Sequence, residues 1–300
     1  VNKIWAAHLA LLFANLIYGA NYSIAKDVMP AYISPFGFIL LRVGCASILF
    51  FLSSLLVKNR KIEKADHYKL LICAFFGVAL NQMLFFYGLS LTKPINAALM
   101  MVCTPILVLL ISVAAGREKM GGIKLTGVLM GLLGALLLIV KPGSLNIFGG
   151  DTILGDLCVL LNAISWGIYL VMVKPLMMKY NALVIIRWIF FYGFFMVLPF
   201  GYQQFFEIEW SLFPEIILWE TAFVVFATTY VAYLLNTLAL KWATPSLVSA
   251  YIYLQPFLAA AFALAAGKDV VTSLKIISAV MIFTGVYLAG YKPKSGAGNL

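Results

Sequence analysis

Two arginines, Arg42 and Arg187, stand inside long apolar runs of this chain. A guanidinium in the hydrocarbon of a bilayer costs about 2.5–3.5 kcal/mol or more, so each needs a reason to be there. Its planar fork can hold a carboxylate or a phosphate through two parallel hydrogen bonds. It can equally tie down backbone carbonyls between helices. Both roles are open to Arg42. Arg187 lies nearer the start of its run and can snorkel to the membrane surface. No acidic residue occupies the middle of any apolar run; Glu220, near the end of its own, comes closest.

Uncharged polar residues recur at helical spacing. His8, Asn15 and Tyr22 are seven apart, with Tyr18 and Lys26 on the same side, and a spacing of seven keeps residues on one helix face. Asn162, Trp166 and Tyr169 follow i, i+4, i+7, and Thr229, Tyr233 and Asn236 repeat the pattern. Asn81 and Gln82 sit midway along another run, and Tyr251, Tyr253 and Gln255 precede Pro256. The candidate substrate-binding residues are therefore Asn15, Tyr18, Tyr22, Arg42, Gln82, Asn162, Trp166, Tyr169, Tyr233 and Tyr253. Amides, phenols and an indole suit a solute with an apolar part and a polar head. The plainer alternative is interhelical hydrogen bonds worth about 0.6 kcal/mol each, with aromatics at the membrane interface.

The elements that must position these residues are membrane helices. The chain has 300 residues, 64% hydrophobic and 11% charged, with a mean hydropathy of +1.02. Soluble domains carry far more charge. Ten apolar runs, at about 4–26, 34–57, 68–91, 94–115, 121–140, 153–173, 182–202, 216–239, 244–266 and 272–291, are each long enough to cross. In lipid every backbone polar group must pair within its own segment, so the runs are expected as helices. The first run lacks a small-residue cleavage site and reads as a helix, not a signal peptide.

The net charge of +10 sits in short loops, where it sets topology and gives no reason to expect a nucleic-acid partner. One set of loops carries Lys58, Arg60, Lys61, Lys64 and Lys69, then Arg117, Lys119 and Lys124, then Lys174, Lys179 and Lys241, with Lys3, Lys292 and Lys294 at the ends. The alternate loops carry only Lys26, Lys93, Lys141, Lys268 and Lys275. Positive charge collects inside, so both termini are expected in the cytoplasm.

The stretch from Ala98 to Ser144 occurs twice. Shifted by 151 positions it lies on Ser249 to Ser295: Pro105 on Pro256, Gly116-Arg117-Glu118 on Gly267-Lys268-Asp269, Lys124 on Lys275, and Lys141-Pro142 on Lys292-Pro293. The first runs of the two halves match at an offset of 148, Tyr18-Gly19 and Lys26 on Trp166-Gly167 and Lys174. Five crossings separate the copies, so the second must enter the membrane the other way up. The fold expected is an all-α integral membrane protein of ten transmembrane helices, built as two inverted-topology five-helix repeats at residues 1–142 and 150–293. Inverted repeats are a common build of secondary transporters. Pro105 and Pro256, symmetry-related and mid-span, are candidate hinges; each frees the carbonyl four residues back, at Met101 and Ile252. Gly127, Gly131 and Gly134, with Ser278 and Gly285 in the copy, form a small-residue stripe suited to close helix contact.

Arg42 after Pro35, the run Gly88-Leu89-Ser90-Leu91 through Ala97-Ala98 to Pro105 and Gly116-Arg117-Glu118, and the second copy from Leu238-Ala239-Leu240 through Ser249 to Pro256 carry a resemblance. The chain resembles the ten-helix EamA-type transporters of the drug/metabolite transporter superfamily. The resemblance implies an inner-membrane carrier of small metabolites, with a central cavity between the halves and movement by alternating access. It also favours a structural Arg42, since that arginine recurs across carriers of unlike substrates. Amino acids or related compounds, exported, are the first expectation for the solute. Carriage of a sugar, a nucleotide-linked compound or an amine stays open, as does a channel or sensor on the same bundle.

No Gly-Lys-Ser/Thr phosphate loop is present, so ATP is not expected as the direct energy source. No paired-aspartate, His-Glu-x-x-His or Gly-x-Ser-Gly set marks an enzyme, and Cys45, Cys73, Cys103 and Cys158 lack metal-ligand spacing. Neither cofactor nor metal is expected. The partners expected are a small-molecule substrate and the bilayer, with the chain as monomer or homodimer.

Overall fold

The computed structural model of the chain describes residues 3–58, 60–139, 150–265 and 272–291. Among the described residues ten helical stretches, broken in places, follow one another. They are α1 (Lys3–Val28), α2 (Pro35–Ser54), α3 (His67–Ala74, Phe75–Ala79 and Leu80–Leu91), α4 (Pro94–Val102 and Thr104–Ala114) and α5 (Gly122–Ile139), then α6 (Ile153–Lys179), α7 (Ala182–Phe206), α8 (Glu215–Phe223, Val224–Val231 and Ala232–Trp242), α9 (Pro245–Ala250, Tyr251–Tyr253 and Leu254–Ala265) and α10 (Ser273–Gly290). Eight crossings are long and apolar enough to span a bilayer, and α5 contains a shorter apolar stretch, Gly122–Leu137. The chain is a multi-pass helical membrane protein. Lys141-Pro142, Gly267-Lys268-Asp269 and Lys292-Pro293 of the sequence repeat lie outside the described residues.

Irregularities fall at matching places in the two halves. The Phe75–Ala79 segment of α3 and the Val224–Val231 segment of α8 are both wound as π-helix. A π-turn loosens the backbone ladder, and such turns gather at functional sites. Side chains take up the loosened carbonyls. The Ser165 hydroxyl donates to the Phe76 carbonyl at 2.7 Å, the Tyr233 hydroxyl to the Gly77 carbonyl at 3.2 Å, and the Thr229 hydroxyl to the Val224 carbonyl at 2.8 Å. α4 breaks at Cys103, just before Pro105, and α9 passes through a 3-10 turn at Tyr251–Tyr253, just before Pro256.

The halves interlock pairwise: α5 on α10, α2 on α7, α3 on α6, and α1 on α8. The first of these contacts is made by the small-residue stripe. A Cβ built on Gly285 would lie 2.5 Å from the Gly131 nitrogen and 2.7 Å from the Gly127 carbonyl oxygen, and one on Gly127 would lie 2.6 Å from the Ala289 nitrogen. With no side chain in the way the two backbones touch, which is how helices gain dispersion contact in lipid. Across the α2–α7 contact, the Gln204 side-chain oxygen accepts from the backbone nitrogens of Phe36 and Gly37 at 2.9 and 3.0 Å, capping the start of α2.

Call the face of the bundle holding the start of α1 the N-terminal face. Here Glu118, from the Gly116-Arg117-Glu118 turn, pairs with Lys124. It also accepts from the Ser246 backbone nitrogen at 3.1 Å and the Ser246 hydroxyl at 2.9 Å. The carboxylate thus caps the start of α9, where the helix dipole favours negative charge. On the same face buried Asp66 accepts from Lys69 (2.7 Å), Lys179 (2.8 Å) and the Tyr180 hydroxyl (2.7 Å), tying the start of α3 to the end of α6.

Candidate functional site

A cavity of about 90 Å³ lies between the halves. α1 contributes Asn15, Tyr18, Asn21 and Tyr22; α2 contributes Arg42; α3 contributes Asn81, Gln82, Phe85 and Phe86. Opposite them stand Asn162 and Trp166 of α6, Thr228, Tyr233 and Asn236 of α8, Val248, Ile252 and Gln255 of α9, and Met101 of α4. Successive lining residues on each helix are adjacent or three or four apart, or five apart across the α8 π-turn from Thr228 to Tyr233, so one face of each helix is turned inward. The wall is mixed: amides and phenols alternate with aromatic and aliphatic surface.

Part of the polar set is spent holding helices together. The Gln255 amide donates to the Asn15 side-chain oxygen at 2.8 Å and accepts from the Tyr22 hydroxyl at 3.1 Å, joining α9 to α1. Asn162 donates to the Asn81 backbone carbonyl at 2.7 Å, joining α6 to α3. Asn236 donates to the Ala232 carbonyl of its own helix at 3.0 Å and reaches the Tyr18 hydroxyl at 3.5 Å.

Other polar atoms are buried with no hydrogen bond among the described residues. They include the Asn21 side-chain oxygen, Arg42 Nη1, both amide atoms of Gln82, and the Thr228 hydroxyl. All four residues line the cavity. Gln82 lies beside the Tyr233 phenol without a hydrogen bond of ordinary geometry to it. Buried polar groups are nearly always paired, and the grouping of these atoms on one wall makes it the candidate binding surface.

Arg42 is 2% exposed. Its Nε donates to the Thr229 hydroxyl at 2.8 Å, and Thr229 in turn donates to the Val224 carbonyl of the α8 π-turn. Its guanidinium carbon stands 3.8 Å from the centre of the Phe86 ring. One edge and one face of the guanidinium are therefore fixed. Arg187 is placed differently: Nη1 donates to the Ser54 hydroxyl at 3.2 Å, near the end of α2, and the guanidinium lies over Trp188. It does not line the cavity.

Asn15, Tyr18, Tyr22, Arg42, Gln82, Asn162, Trp166 and Tyr233 all line the cavity. Tyr169 and Tyr253 do not. Tyr169 lies behind Trp166, with ring centres 5.0 Å apart, and its ring covers Gly77 of the α3 π-turn. Tyr253 is fully buried and packs its ring on Gly131 of α5. Helical spacing alone put both on polar faces, but the 3-10 turn at Tyr251–Tyr253 rotates Tyr253 away from Gln255. Pro105 and Pro256 follow the breaks in α4 and α9, and Met101 and Ile252, four residues back, both line the wall. His8 contacts the Tyr251 hydroxyl at 2.5 Å, joining α1 to α9.

Several lining residues carry no distinguishing mark in sequence. Phe85, Phe86 and Val248 look like any lipid-facing apolar residue, and Asn21 and Thr228 fall outside the seven-residue spacing that singled out their neighbours. Asp156 does not line the cavity. It is fully buried near the start of α6, accepting from the Thr92 hydroxyl at 2.5 Å, the Asn96 amide at 3.3 Å and the Thr152 hydroxyl at 3.2 Å.

Residues 5–140 and 153–291 each match the EamA-like transporter family. An uncharacterized transporter of Archaeoglobus fulgidus is 26% identical over 288 residues, covering 95% of this chain and 97% of that one. The WAT1-related protein At3g53210 of Arabidopsis thaliana is 27% identical over 302 residues, 90% of this chain and 79% of that one. A solved crystal structure, described only as that of a protein, superposes with a TM-score of 0.73 over 94% of this chain and 96% of that one, at 20% identity. That likeness bears on the fold alone.

Proposed function

The chain belongs to the EamA-like transporter family, and from that premise we propose that it is a secondary carrier of small amphipathic metabolites, first among them amino acids or related compounds, which it exports. The observation that carries this reading is the cavity between the two halves. Its wall offers unpaired hydrogen-bonding atoms beside the aromatic surface of Trp166, Phe85 and Phe86. Such a wall suits a solute with a polar head and an apolar body. The two repeats, taken as residues 1–142 and 150–293, rock against one another and open the cavity to each side in turn, with the breaks at Pro105 and Pro256 as hinges. Positive charge in the loops of the N-terminal face supports a cytoplasmic position for both termini, in the inner membrane.

The test is counterflow in proteoliposomes. Vesicles are loaded with an unlabelled metabolite pool, and entry of labelled amino acids is followed one at a time, with wild type beside Trp166→Ala. Transient accumulation of one class, lost in a well-folded Trp166→Ala protein, is the expected result. Overshoot only with sugars, nucleotides or amines replaces the amino-acid reading. Equilibration without overshoot replaces the carrier with a channel-like path.

A further inference from the structure

We propose that Arg42, with Gln82 and Asn21, forms a carboxylate-reading subsite, so that the carrier takes solutes bearing a free carboxylate and refuses their cationic analogues. The inference rests on the carrier reading above and adds a rule of charge to it.

The first ground is the charge of the wall. Among the described residues Arg42 is the one charged side chain lining the cavity, and no carboxylate lines it. An isolated positive charge in a poorly screened cavity attracts an anion and repels a cation far more strongly than it would in water. The second ground is orientation. Thr229 holds Nε and the Phe86 ring covers one face of the guanidinium, while Nη1 is buried without a partner among the described residues. The Thr229 bond fastens α2 to α8 with one of the five guanidinium N–H donors and leaves the buried Nη1 without a partner among the described residues. A carboxylate oxygen on that nitrogen makes the charge-assisted bond that guanidinium geometry favours.

The third ground is the set of other unpaired atoms on the same cavity wall. Gln82 sits one helical turn before Phe86 on the same face of α3; its amide nitrogen carries two N–H donors and its oxygen is an acceptor, and neither atom has a hydrogen bond of ordinary geometry among the described residues. One of those donors can serve the second carboxylate oxygen. Its acceptor, with the Asn21 oxygen, remains for an N–H or O–H of the solute. These acceptors are neutral amides, so they orient an ammonium or hydroxyl without neutralising a cation. Trp166 and Ile252 leave apolar surface for the rest of the molecule. The class selected is a 2-amino or 2-hydroxy carboxylic acid with an apolar side chain.

The experiment uses the purified full chain and four probes of nearly one shape: L-leucine, 4-methylpentanoate, L-leucinamide and 3-methylbutylamine. Each is titrated against thermal unfolding of the detergent-solubilised protein, and each is tried in counterflow. The expected result is stabilisation by leucine and 4-methylpentanoate, with apparent affinities for leucinamide and 3-methylbutylamine at least tenfold weaker. Arg42→Gln should erase the difference between leucine and leucinamide, and Arg42→Lys should keep part of it. Thr229→Val, which removes the fastening and leaves the charge, should retain the acid preference. Equal affinity of the wild type for leucine and leucinamide overturns the subsite, with no need of a variant. No stabilisation by any probe also overturns it. In either case counterflow of a solute without a carboxylate leaves the carrier reading standing, and absence of overshoot with every solute class removes both.

Discussion

The ammonium groups of Lys26 and Lys174 make the same contact at opposite faces of the bundle. Lys26 donates to the carbonyls of Leu89 (2.8 Å), Ser90 (2.9 Å) and Thr92 (3.1 Å) at the end of α3. Lys174 donates to those of Leu240, Lys241 (3.3 Å) and Ala243 (2.8 Å) at the end of α8. Each acceptor in the second set lies 151 positions after its counterpart in the first. One device is thus built twice, once each way up. In each, a lysine from the first helix of a repeat closes the carbonyl end of the third. The last carbonyls of a helix lack intrahelical donors, and a cation there also meets the negative end of the helix dipole.

Replacing either lysine by methionine should lower stability by about 1–3 kcal/mol, the range for losing hydrogen bonds to a charged group. The two sites are at opposite faces and share no partner, so the double variant should lose the sum of the two. Thermal unfolding of the four proteins in one detergent measures both points.

The α5–α10 contact gives a second prediction. Gly285→Ala drives a Cβ into the backbone of Gly131 and Gly127 and should cost about 1–3 kcal/mol, the usual range for overpacking. Gly19→Ala, whose Cβ would stand 3.5 Å from the nearest atom, is the matched control and should be tolerated. The difference between their unfolding midpoints is the measurement.

Asp156 should prove a structural anchor for the start of α6. Asp156→Asn turns one acceptor into a donor among the hydroxyl and amide donors of Thr92, Asn96 and Thr152. A loss of about 2–4 kcal/mol is expected from leaving buried groups unpaired. In a double-mutant cycle with Thr92→Val, a coupling energy near zero would contradict the direct bond.

Arg187→Gln should change solute affinity by less than twofold, because its guanidinium meets Ser54 and Trp188 and not the cavity. Titration with the probes used for Arg42 separates the two arginines that the sequence places in comparable runs.

Orientation is tested by cysteine labelling in intact cells, with the four native cysteines replaced. Ser211→Cys, between α7 and α8, should react with an impermeant reagent from outside. Lys61→Cys, between α2 and α3, should react only after permeabilisation. The reverse pattern would invert the proposed topology.

The ten crossings are legible in sequence to within a few residues, because length and hydropathy decide membrane helices almost alone. α6 and α7 run on to Lys179 and Phe206, past the apolar runs expected to end near 173 and 202, since a helix continues beyond hydrocarbon wherever its backbone is supported. The inversion is legible from the repeat and from loop charge. The π-turns at Phe75–Ala79 and Val224–Val231 are not, since no residue type announces them. The 3-10 turn before Leu254 shifts which residues of α9 face inward, so a fixed 3.6-residue period puts Tyr253 on the polar face while the structure packs it on Gly131; Trp166 and Tyr233 line the cavity, and Tyr169, on the unbroken α6, lies behind Trp166. Phe85 and Phe86 escape notice for another reason: in lipid, an aromatic facing a cavity and one facing the bilayer are the same residue.

The glycine contact between α5 and α10 also bears on how the protein is made. The two faces that meet there lie about 150 residues apart in the chain. At ordinary elongation rates of about 5–20 residues per second, α5 waits on the order of ten seconds before its partner leaves the ribosome. Through that interval Gly127 and Gly131 present bare backbone to whatever stands beside them in the membrane. Nascent chains should therefore be most open to mispairing, and to capture by the insertion machinery, between the emergence of α5 and that of α10.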